Sequence, residues 1–207
     1  MKLFFQYCSF GFSNCYILGE EKAGKGRQNA AIIVDPGNME SVTLETIENN
    51  NLELKAVLIT HDHFSHVRGL RTLERIYNVE VFAVNHSIMD HKTTMVKDGD
   101  KLKIAGFSIE VISIPGHSSD SVVYRFDTLL FTGDVLTAGL VGSTASAYGS
   151  TTQMNKLRSR LLSLPGDYVV LPGHGPPSTL EAERRFNADI FIYDQNRFKP
   201  PAFRVDI

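Results

Sequence analysis

The sequence predicts a protein of the α/β (α+β) class, in which two β-sheets pack face to face and helices cover their outer sides. Three observations support this prediction. Short apolar runs recur between turn residues, segments of helical periodicity lie among them, and the second half of the chain repeats the alternation of the first. A sheet that packs on another sheet still has a second face to cover, and helices supply that cover. At 207 residues, we expect one domain spanning residues 1–207.

The first half is predicted to contain four strands and two helices. The strands are residues 3–8, 14–18, 30–35 and 56–60, and the helices are residues 42–49 and 65–77. The first three strands form an antiparallel meander, with a polar loop at residues 20–29 before the third. The second helix is predicted because Val67, Leu70, Leu73 and Ile76 recur about every three residues, which places them on one face.

The second half is predicted to contain six strands and two helices. The strands are residues 79–84, 101–105, 107–114, 121–126, 129–132 and 168–171. Both helices are predicted from the spacing of a capping box. Ser150 and Gln153 would open a helix through residue 164, and Ser178 and Glu181 would open one that ends near residue 187.

Composition excludes several classes of protein. The net charge of -2 gives no reason to expect a nucleic-acid partner or an anionic membrane surface. Polar residues interrupt the apolar N-terminus, so we expect neither a signal peptide nor a membrane span, and we expect the cytoplasm as the compartment. The two cysteines, Cys8 and Cys15, lie in apolar strand-like sequence and are predicted to be buried, reduced thiols. The sequence leaves the oligomeric state open.

Histidines cluster at predicted strand ends. The stretch THDHFSH places His61, His63 and His66 directly after a buried strand, and the chain contains only seven histidines. Three further strands end in Pro-Gly-His117, Thr-Gly-Asp134 and Pro-Gly-His174. The glycine before each residue permits a sharp turn and close backbone approach. We therefore predict a metal site of imidazole and carboxylate ligands, which suits zinc, iron or manganese.

These motifs resemble those of the metallo-β-lactamase superfamily, and within it the short, single-domain, glyoxalase II-like (hydroxyacylglutathione hydrolase-like) members. The segments that carry the resemblance extend over nearly the whole chain: NCYIL, AIIVDPG, THDHFSH, KDGDKLKIAGFSIEVISIPGHS, FTGD and LPGHGPPSTLEAERRFN. The resemblance implies a four-layer αβ/βα sandwich, in agreement with the two packed sheets predicted above.

The resemblance also implies two metal sites. The first would use His61, His63 and His117, and the second His66 and His174, with Asp134 bridging both. The family's aspartate ligand of the second site falls on Ser65 here. Because a serine hydroxyl is a poor zinc ligand, we expect one firmly bound zinc ion and a weaker second one.

Two aspartates are candidate substitutes for the missing carboxylate. Asp62 alternates away from the flanking histidines in an extended segment, and Asp120 stands where the family has glycine. The remaining two histidines, His86 and His91, lack a strand-end context and are predicted to lie outside the site.

The implied activity is hydrolysis of a small acyl-thioester by a metal-bound hydroxide, with Asp134 as the catalytic residue that orients the nucleophile. Substrate-binding residues are not identified, although Ser143 and Tyr148 lie in a glycine-rich loop that could reach a substrate. Gly-Ser-Thr-Ala at residues 142–145 departs from the family pattern. About twenty residues follow Asn187, too few for the helical domain with which full-length members bind glutathione.

Two alternatives remain open. In a mononuclear iron dioxygenase of the persulfide dioxygenase type, His61, His117 and Asp134 would form a two-histidine, one-carboxylate triad. In a non-catalytic member, a structural metal would remain without turnover. Retention of five histidines and Asp134 argues against the non-catalytic alternative.

Overall fold

The computed structural model describes residues 1–21 and 27–197. Residues 22–26 of the predicted polar loop therefore lie outside the described part. The strands are, in chain order, β1 Lys2–Tyr7, β2 Asn14–Gly19, β3 Asn29–Val34, β4 Leu52–Leu58, β5 Glu80–Ala83, β6 Ser87–Ile88, β7 His91–Lys92, β8 Thr94–Met95, β9 Lys101–Ile104, β10 Phe107–Ser113, β11 Val122–Phe126, β12 Leu129–Gly133, β13 Leu136–Thr137, β14 Leu140–Val141, β15 Val169–Pro172 and β16 Ser178–Thr179. The α-helices are α1 Ser41–Asn49, α2 Phe64–Val67, α3 Leu70–Ile76, α4 Ala147–Lys156, α5 Leu180–Phe186 and α6 Ala188–Arg197, and a π-helical turn, Leu157–Leu162, continues α4.

The larger strands form two six-stranded sheets. The first has the order β1-β2-β3-β4-β5-β8, and the second has the order β16-β15-β12-β11-β10-β9. β1, β2 and β3 pair antiparallel, which confirms the predicted meander, and β4 then adds parallel to β3. In the second sheet β12 and β15 are parallel neighbours, so their C-terminal ends meet at one edge.

Alternating residues of each strand face opposite sides of its sheet, so the apolar core forms three layers between the four layers of helix and sheet. In β4, for example, Val57 belongs to the first apolar layer, under the outer helices, whereas Leu58 faces the second sheet. The middle layer lies between the sheets and includes Tyr16 and Phe131, whose rings meet edge to face with centroids 5.4 Å apart. The third layer lies under α4, the π-helical turn, α5 and α6. The order helix, sheet, sheet, helix is the predicted four-layer αβ/βα sandwich.

The helix predicted over residues 65–77 is divided into α2 and α3. The division falls at Gly69, whose N–H donates to the Pro36 carbonyl at 2.8 Å. A Cβ on Gly69 would lie 2.4 Å from the same oxygen, so the chain passes too close to Pro36 for any other residue. Three members of the predicted apolar stripe, Val67, Leu70 and Leu73, are buried, whereas the prediction for Ile76 was wrong, since it is 52% exposed at the end of α3. A long-range backbone contact therefore divides the predicted helix in two, but the two parts bury the same side of it.

Both predicted capping boxes were wrong in position. The N-cap of α4 is Ser146, whose hydroxyl accepts from the Gly149 N–H at 3.0 Å, and Ser150 lies inside the helix. The N-cap of α5 is Thr179, which accepts from the Ala182 N–H, one residue after the predicted Ser178. In each case more than one hydroxyl residue lies near the start of the helix, and the spacing to a later Gln or Glu did not identify the one that caps it.

Two further expectations concern the thiols and the membrane. Cys8 and Cys15 are both free and buried, as predicted. Within the described ranges, the helices are too short or too polar for any of them to cross a bilayer.

Candidate metal centre

Six side chains with nitrogen or carboxylate donors converge at one edge of the two sheets. His61, His63 and His66 follow β4 of the first sheet, and His63 is the N-cap of α2. His117 lies in the loop from β10 to β11, Asp134 follows β12, and His174 follows β15. Each sheet therefore supplies three of the six. The two sheets are joined here, because the Val122 N–H donates to the Thr60 carbonyl at 2.9 Å.

The first group consists of His61, His63, His117 and Asp134, whose candidate ligand atoms all lie within 4.8 Å of one another. His63 Nδ1 lies 2.9 Å from His61 Nε2 and 3.0 Å from His117 Nε2. Asp134 Oδ2 lies 3.8 Å from His61 Nε2 and 3.6 Å from His117 Nε2. Three imidazoles and one carboxylate at these separations surround a space of the size that one ion needs.

The second group consists of His66, Asp134 and His174, and it shares Asp134 with the first. Asp134 Oδ1 lies 3.5 Å from His66 Nε2, and Asp134 Oδ2 lies 3.5 Å from His174 Nε2. A Cβ on Gly173 would lie 2.4 Å from both Asp134 Oδ1 and His66 Cε1. The glycine before His174 thus permits the close approach that its position in the motif predicted.

Four of the five histidines are oriented through Nδ1. The Nδ1 of His117 donates to the Ser143 carbonyl at 2.8 Å, and that of His174 donates to the Phe12 carbonyl at 3.0 Å. His61 Nδ1 lies 3.1 Å from the Thr60 hydroxyl. In a neutral ring, a proton on Nδ1 leaves Nε2 with its lone pair facing the centre, which is how proteins prepare histidine for a metal.

Asp35 orients the fourth of these histidines, and the sequence analysis did not identify it. Asp35 Oδ2 accepts from His66 Nδ1 at 3.0 Å and from the Thr60 hydroxyl at 2.6 Å, and Oδ1 accepts from the Thr60 N–H at 2.8 Å. Since the Thr60 hydroxyl donates to Asp35, it accepts from His61. One buried carboxylate therefore orients two histidines of the centre. The signal for it was the aspartate of the Asp-Pro-Gly turn, whose φ of 49° holds the left-handed conformation that aspartate tolerates.

The pKa values at the centre favour metal binding at one group more than at the other. Burial, together with the nearby His66, lowers the pKa of His61 to about 3, so its ring is neutral at physiological pH. Burial opposes a charge on His66, but the carboxylates of Asp134 and Asp35 outweigh it and raise the pKa of His66 to about 10. Burial likewise opposes ionisation of Asp134, yet His66 holds the pKa of that carboxyl well below its usual range.

Ser65, which the sequence resemblance predicts to replace a ligand, lies in a tightly packed segment. Its carbonyl accepts from the Ser13 hydroxyl at 2.6 Å. A Cβ on Gly11 would lie 2.7 Å from the Ser65 Cβ, and a Cβ on Gly37 would lie 2.0 Å from the Ser65 carbonyl oxygen. The loop between β1 and β2 therefore fixes the backbone that precedes His66.

Among the described residues, the other residues that the sequence singled out lie outside both groups of metal-ligand candidates. Asp120 accepts at Oδ2 from the Asp62 N–H at 2.9 Å and from Asn85 Nδ2 at 3.2 Å, so it ties neighbouring loops together. His91 pairs with Glu74, and His86 contacts Ser87, away from the centre. Ser143 contributes its backbone carbonyl to His117, and the Tyr148 side chain is 82% exposed.

The family described as Metallo-beta-lactamase superfamily matches residues 8–174 of the chain. The chain belongs to this superfamily. Hydroxyacylglutathione hydrolase GloC of Haemophilus influenzae is 29% identical over 198 residues, which cover 84% of this chain and 91% of that enzyme.

Two solved structures have a similar fold. ETHE1 from Myxococcus xanthus superposes with a TM-score of 0.78 at 24% identity, over 97% of this chain and 93% of that one. At that identity the likeness concerns the fold alone. TTHA1623 in a di-iron-bound form superposes with a TM-score of 0.73 at 27% identity, over 89% of this chain and 98% of that one.

A metallo-beta-lactamase superfamily centre binds divalent metal, and the residues present fit such an ion. His66 Nε2 and Asp134 Oδ1 are buried and have no hydrogen-bond partner among the described residues. Their separation of 3.5 Å is too long for a good hydrogen bond. Two buried polar atoms left unpaired are costly, and a cation between them would satisfy both.

Proposed function

We propose that this protein is a metal-dependent thioester hydrolase of the glyoxalase II type. The observation that carries the proposal is the pair of donor groups that share Asp134, with four histidines oriented through Nδ1 so that Nε2 faces the centre. A structural metal site needs only a closed set of ligands, whereas two adjacent groups with a shared carboxylate suit hydrolysis. The similarity to hydroxyacylglutathione hydrolase GloC supports a small-molecule thioester as substrate.

In this proposal His61, His63, His117 and Asp134 hold the first ion, and His66, Asp134 and His174 hold the second. When bound, the metal supplies a Lewis acid and lowers the pKa of water to about 7. Asp134 stays ionised, so its Oδ2, which faces His61, His117 and His174, accepts hydrogen bonds and orients the attacking water. The Nδ1 contacts of the histidines keep that arrangement fixed while substrate binds.

The proposed metal is zinc, with a firmly bound first ion and a weaker second one. The first group contains four donors and the second contains three, because Ser65 replaces the carboxylate that the family places there. Iron and manganese accept the same imidazole and carboxylate donors. TTHA1623 holds two irons in its solved form, which keeps iron as the main alternative. We place the protein in the cytoplasm.

A mononuclear iron dioxygenase is the second candidate function. Its triad would be His61, His117 and Asp134, which lie together in the first group. The observation that favours it is Ser65, since a reaction that needs one metal tolerates the loss of a ligand at the second site.

A metal count combined with a panel of substrates tests the proposal. Protein purified without added metal, and in parallel under anaerobic conditions, would be analysed for zinc, iron and manganese. The same samples would be assayed on thioesters of glutathione and of smaller thiols, and for oxygen consumption with persulfide. We expect zinc and thioester hydrolysis. One iron per chain with oxygen uptake and no hydrolysis would refute the hydrolase and support the dioxygenase.

A further inference from the structure

Gln153 is completely buried in α4, on the side of that helix that faces the centre. Its spacing from Ser150 had predicted a helix cap, but the structure uses it elsewhere. We propose that Gln153 is a positioning residue that holds the loops of His117 and Asp134 in the arrangement that binds the first ion. The inference rests on the metal centre of the proposed function and not on the identity of the substrate.

The amide of Gln153 hydrogen-bonds to both ends of the β13–β14 hairpin, which connects the Asp134 loop to the segment before α4. Nε2 donates to the Val135 carbonyl at 3.3 Å and to the Gly142 carbonyl at 3.0 Å. Val135 directly follows Asp134, and Gly142 directly precedes Ser143, whose carbonyl accepts from His117 Nδ1. The amide orientation is defined by these partners, since only an NH₂ group can donate to two carbonyl oxygens.

Gln153 also packs against the backbone just before His117. A Cβ on Gly116 would lie 2.3 Å from the Gln153 Cβ and 2.8 Å from its Oε1, and the φ of Gly116 is +149°. Gln153 Oε1 is buried and lacks a hydrogen-bond partner within the described ranges. A buried amide oxygen without a hydrogen bond costs free energy, so the hydrogen bonds of the amide nitrogen must offset that cost. The gain here is the pair of bonds from Nε2.

These contacts reach the neighbours of two of the four donors in the first group. The Ser143 carbonyl that orients the His117 ring is supported by Gln153 together with the Gly142 N–H, which donates to the Val135 carbonyl at 3.4 Å, while the segment from residue 143 to residue 148 is largely exposed. His66 and His174 are oriented by Asp35 and Phe12, which Gln153 does not contact. A change at Gln153 should therefore disturb His117 selectively, whereas a general loss of stability would disturb all the histidines alike.

The test compares two substitutions at Gln153 with a matched control. Gln153→Met keeps the volume and removes the donor, and Gln153→Glu keeps the shape and replaces the donor with an acceptor that faces two carbonyls. Met154→Ala is the control, because Met154 is 4% exposed in the same helix, packs in the outer core and has an apolar side chain that donates no hydrogen bond to the Val135 or Gly142 carbonyl. Zinc-loaded proteins would be compared by the histidine Nδ1–H resonances in NMR, by zinc affinity against a chelator, and by thermal unfolding.

We expect both Gln153 variants to shift or broaden the His117 Nδ1–H resonance, leave those of His66 and His174 in place, and weaken zinc affinity about tenfold or more. Met154→Ala should lower the unfolding temperature and leave the resonances and the affinity unchanged. If Gln153→Met and Gln153→Glu lose stability like the control but keep the His117 resonance and the zinc affinity, Gln153 is a packing residue and the inference is wrong. A parent protein that binds no divalent ion would instead overturn the metal centre itself.

Discussion

Replacement of Asp35 by asparagine should change which nitrogen carries the proton in the neutral ring of His66, the form that binds a metal. Oδ2 of Asp35 accepts from His66 Nδ1 and from the Thr60 hydroxyl, at 3.0 and 2.6 Å. In Asp35→Asn an NH₂ group takes the place of Oδ2 if Oδ1 keeps its bond to the Thr60 N–H. That group would donate to His66 Nδ1, so the proton of the imidazole moves to Nε2, the atom that faces Asp134 and the centre. A protonated Nε2 cannot bind a metal.

The magnitude follows from the two bonds that Oδ2 accepts. A hydrogen bond to a charged group contributes about 1.5–3 kcal/mol, and the asparagine recovers part of it by reversing the direction of each bond. Because Asp35 is 2% exposed, water cannot replace what is lost. We expect Asp35→Asn to lower the free energy of unfolding by about 2–4 kcal/mol and to weaken the second ion by about 10- to 100-fold.

The assay is urea unfolding of the metal-free protein, together with metal titration and ¹⁵N NMR of the histidine rings. Asp98→Asn is the control, because Asp98 also accepts from a backbone N–H, that of Ser113, at a distance from the centre. In Asp35→Asn the neutral His66 ring should show the Nε2–H form, whereas the metal-bound ring of the parent should show the Nδ1–H form. If His66 keeps its proton on Nδ1 and the second ion binds as tightly as in the parent, then Asp35 does not set the tautomer and the reasoning fails.

Three further predictions concern the same centre. Ser65→Asp should retain closer to two metal ions after dialysis than the parent does, because it restores a carboxylate at the second site; a parent that already keeps two full equivalents would show that the serine is no defect. Asp134→Asn should reduce thioesterase turnover by more than about 100-fold, since even outer partners of a metal ligand contribute about 10- to 100-fold, whereas His86→Ala should leave turnover nearly unchanged; equal losses would mean that the site is misassigned. Binding of the second ion should release about one proton and strengthen as the pH rises, because the metal-free His66 has a pKa raised to about 10 and must lose its proton. Binding of the first ion should release almost no proton from His61, whose pKa of about 3 leaves it neutral. Calorimetry in buffers of different ionisation enthalpy counts the protons released, and equal counts for the two ions would contradict this prediction.

The donors of the centre could be predicted from the sequence, but their supports could not. His117, Asp134 and His174 each follow an apolar strand and a glycine, so a local pattern places them at a sheet edge. Their hydrogen-bond partners are backbone carbonyls such as those of Ser143 and Phe12, which any residue type could supply, so the sequence contains no signal for them.

The fold shows the same division between local and long-range causes. The ten longer strands and the buried positions of Leu70 and Leu73 in α3 depend on periodicity within a few residues and were predicted, whereas the six two-residue strands of the described part were missed and Ile76 is exposed. The break at Gly69 depends on Pro36, more than thirty residues away in the chain. Gln153 was assigned to a cap by its spacing from Ser150, whereas its role comes from loops at residues 116, 135 and 142. A rule about neighbours in sequence has no access to such contacts.

The division of the donors between the sheets has a consequence for the order of folding. His61, His63 and His66 belong to one sheet, and His117, Asp134 and His174 belong to the other. Neither half can assemble either donor group alone, so a nascent chain can acquire its ion only after the second half has been synthesised and has packed against the first. Metal uptake during refolding would then report the docking of the two sheets, and a chain that carries its ion has already passed that step. An ion bound by residues of both sheets would in turn lower the rate at which the sheets separate. The lifetime of the folded protein would then depend on the concentration of metal around it.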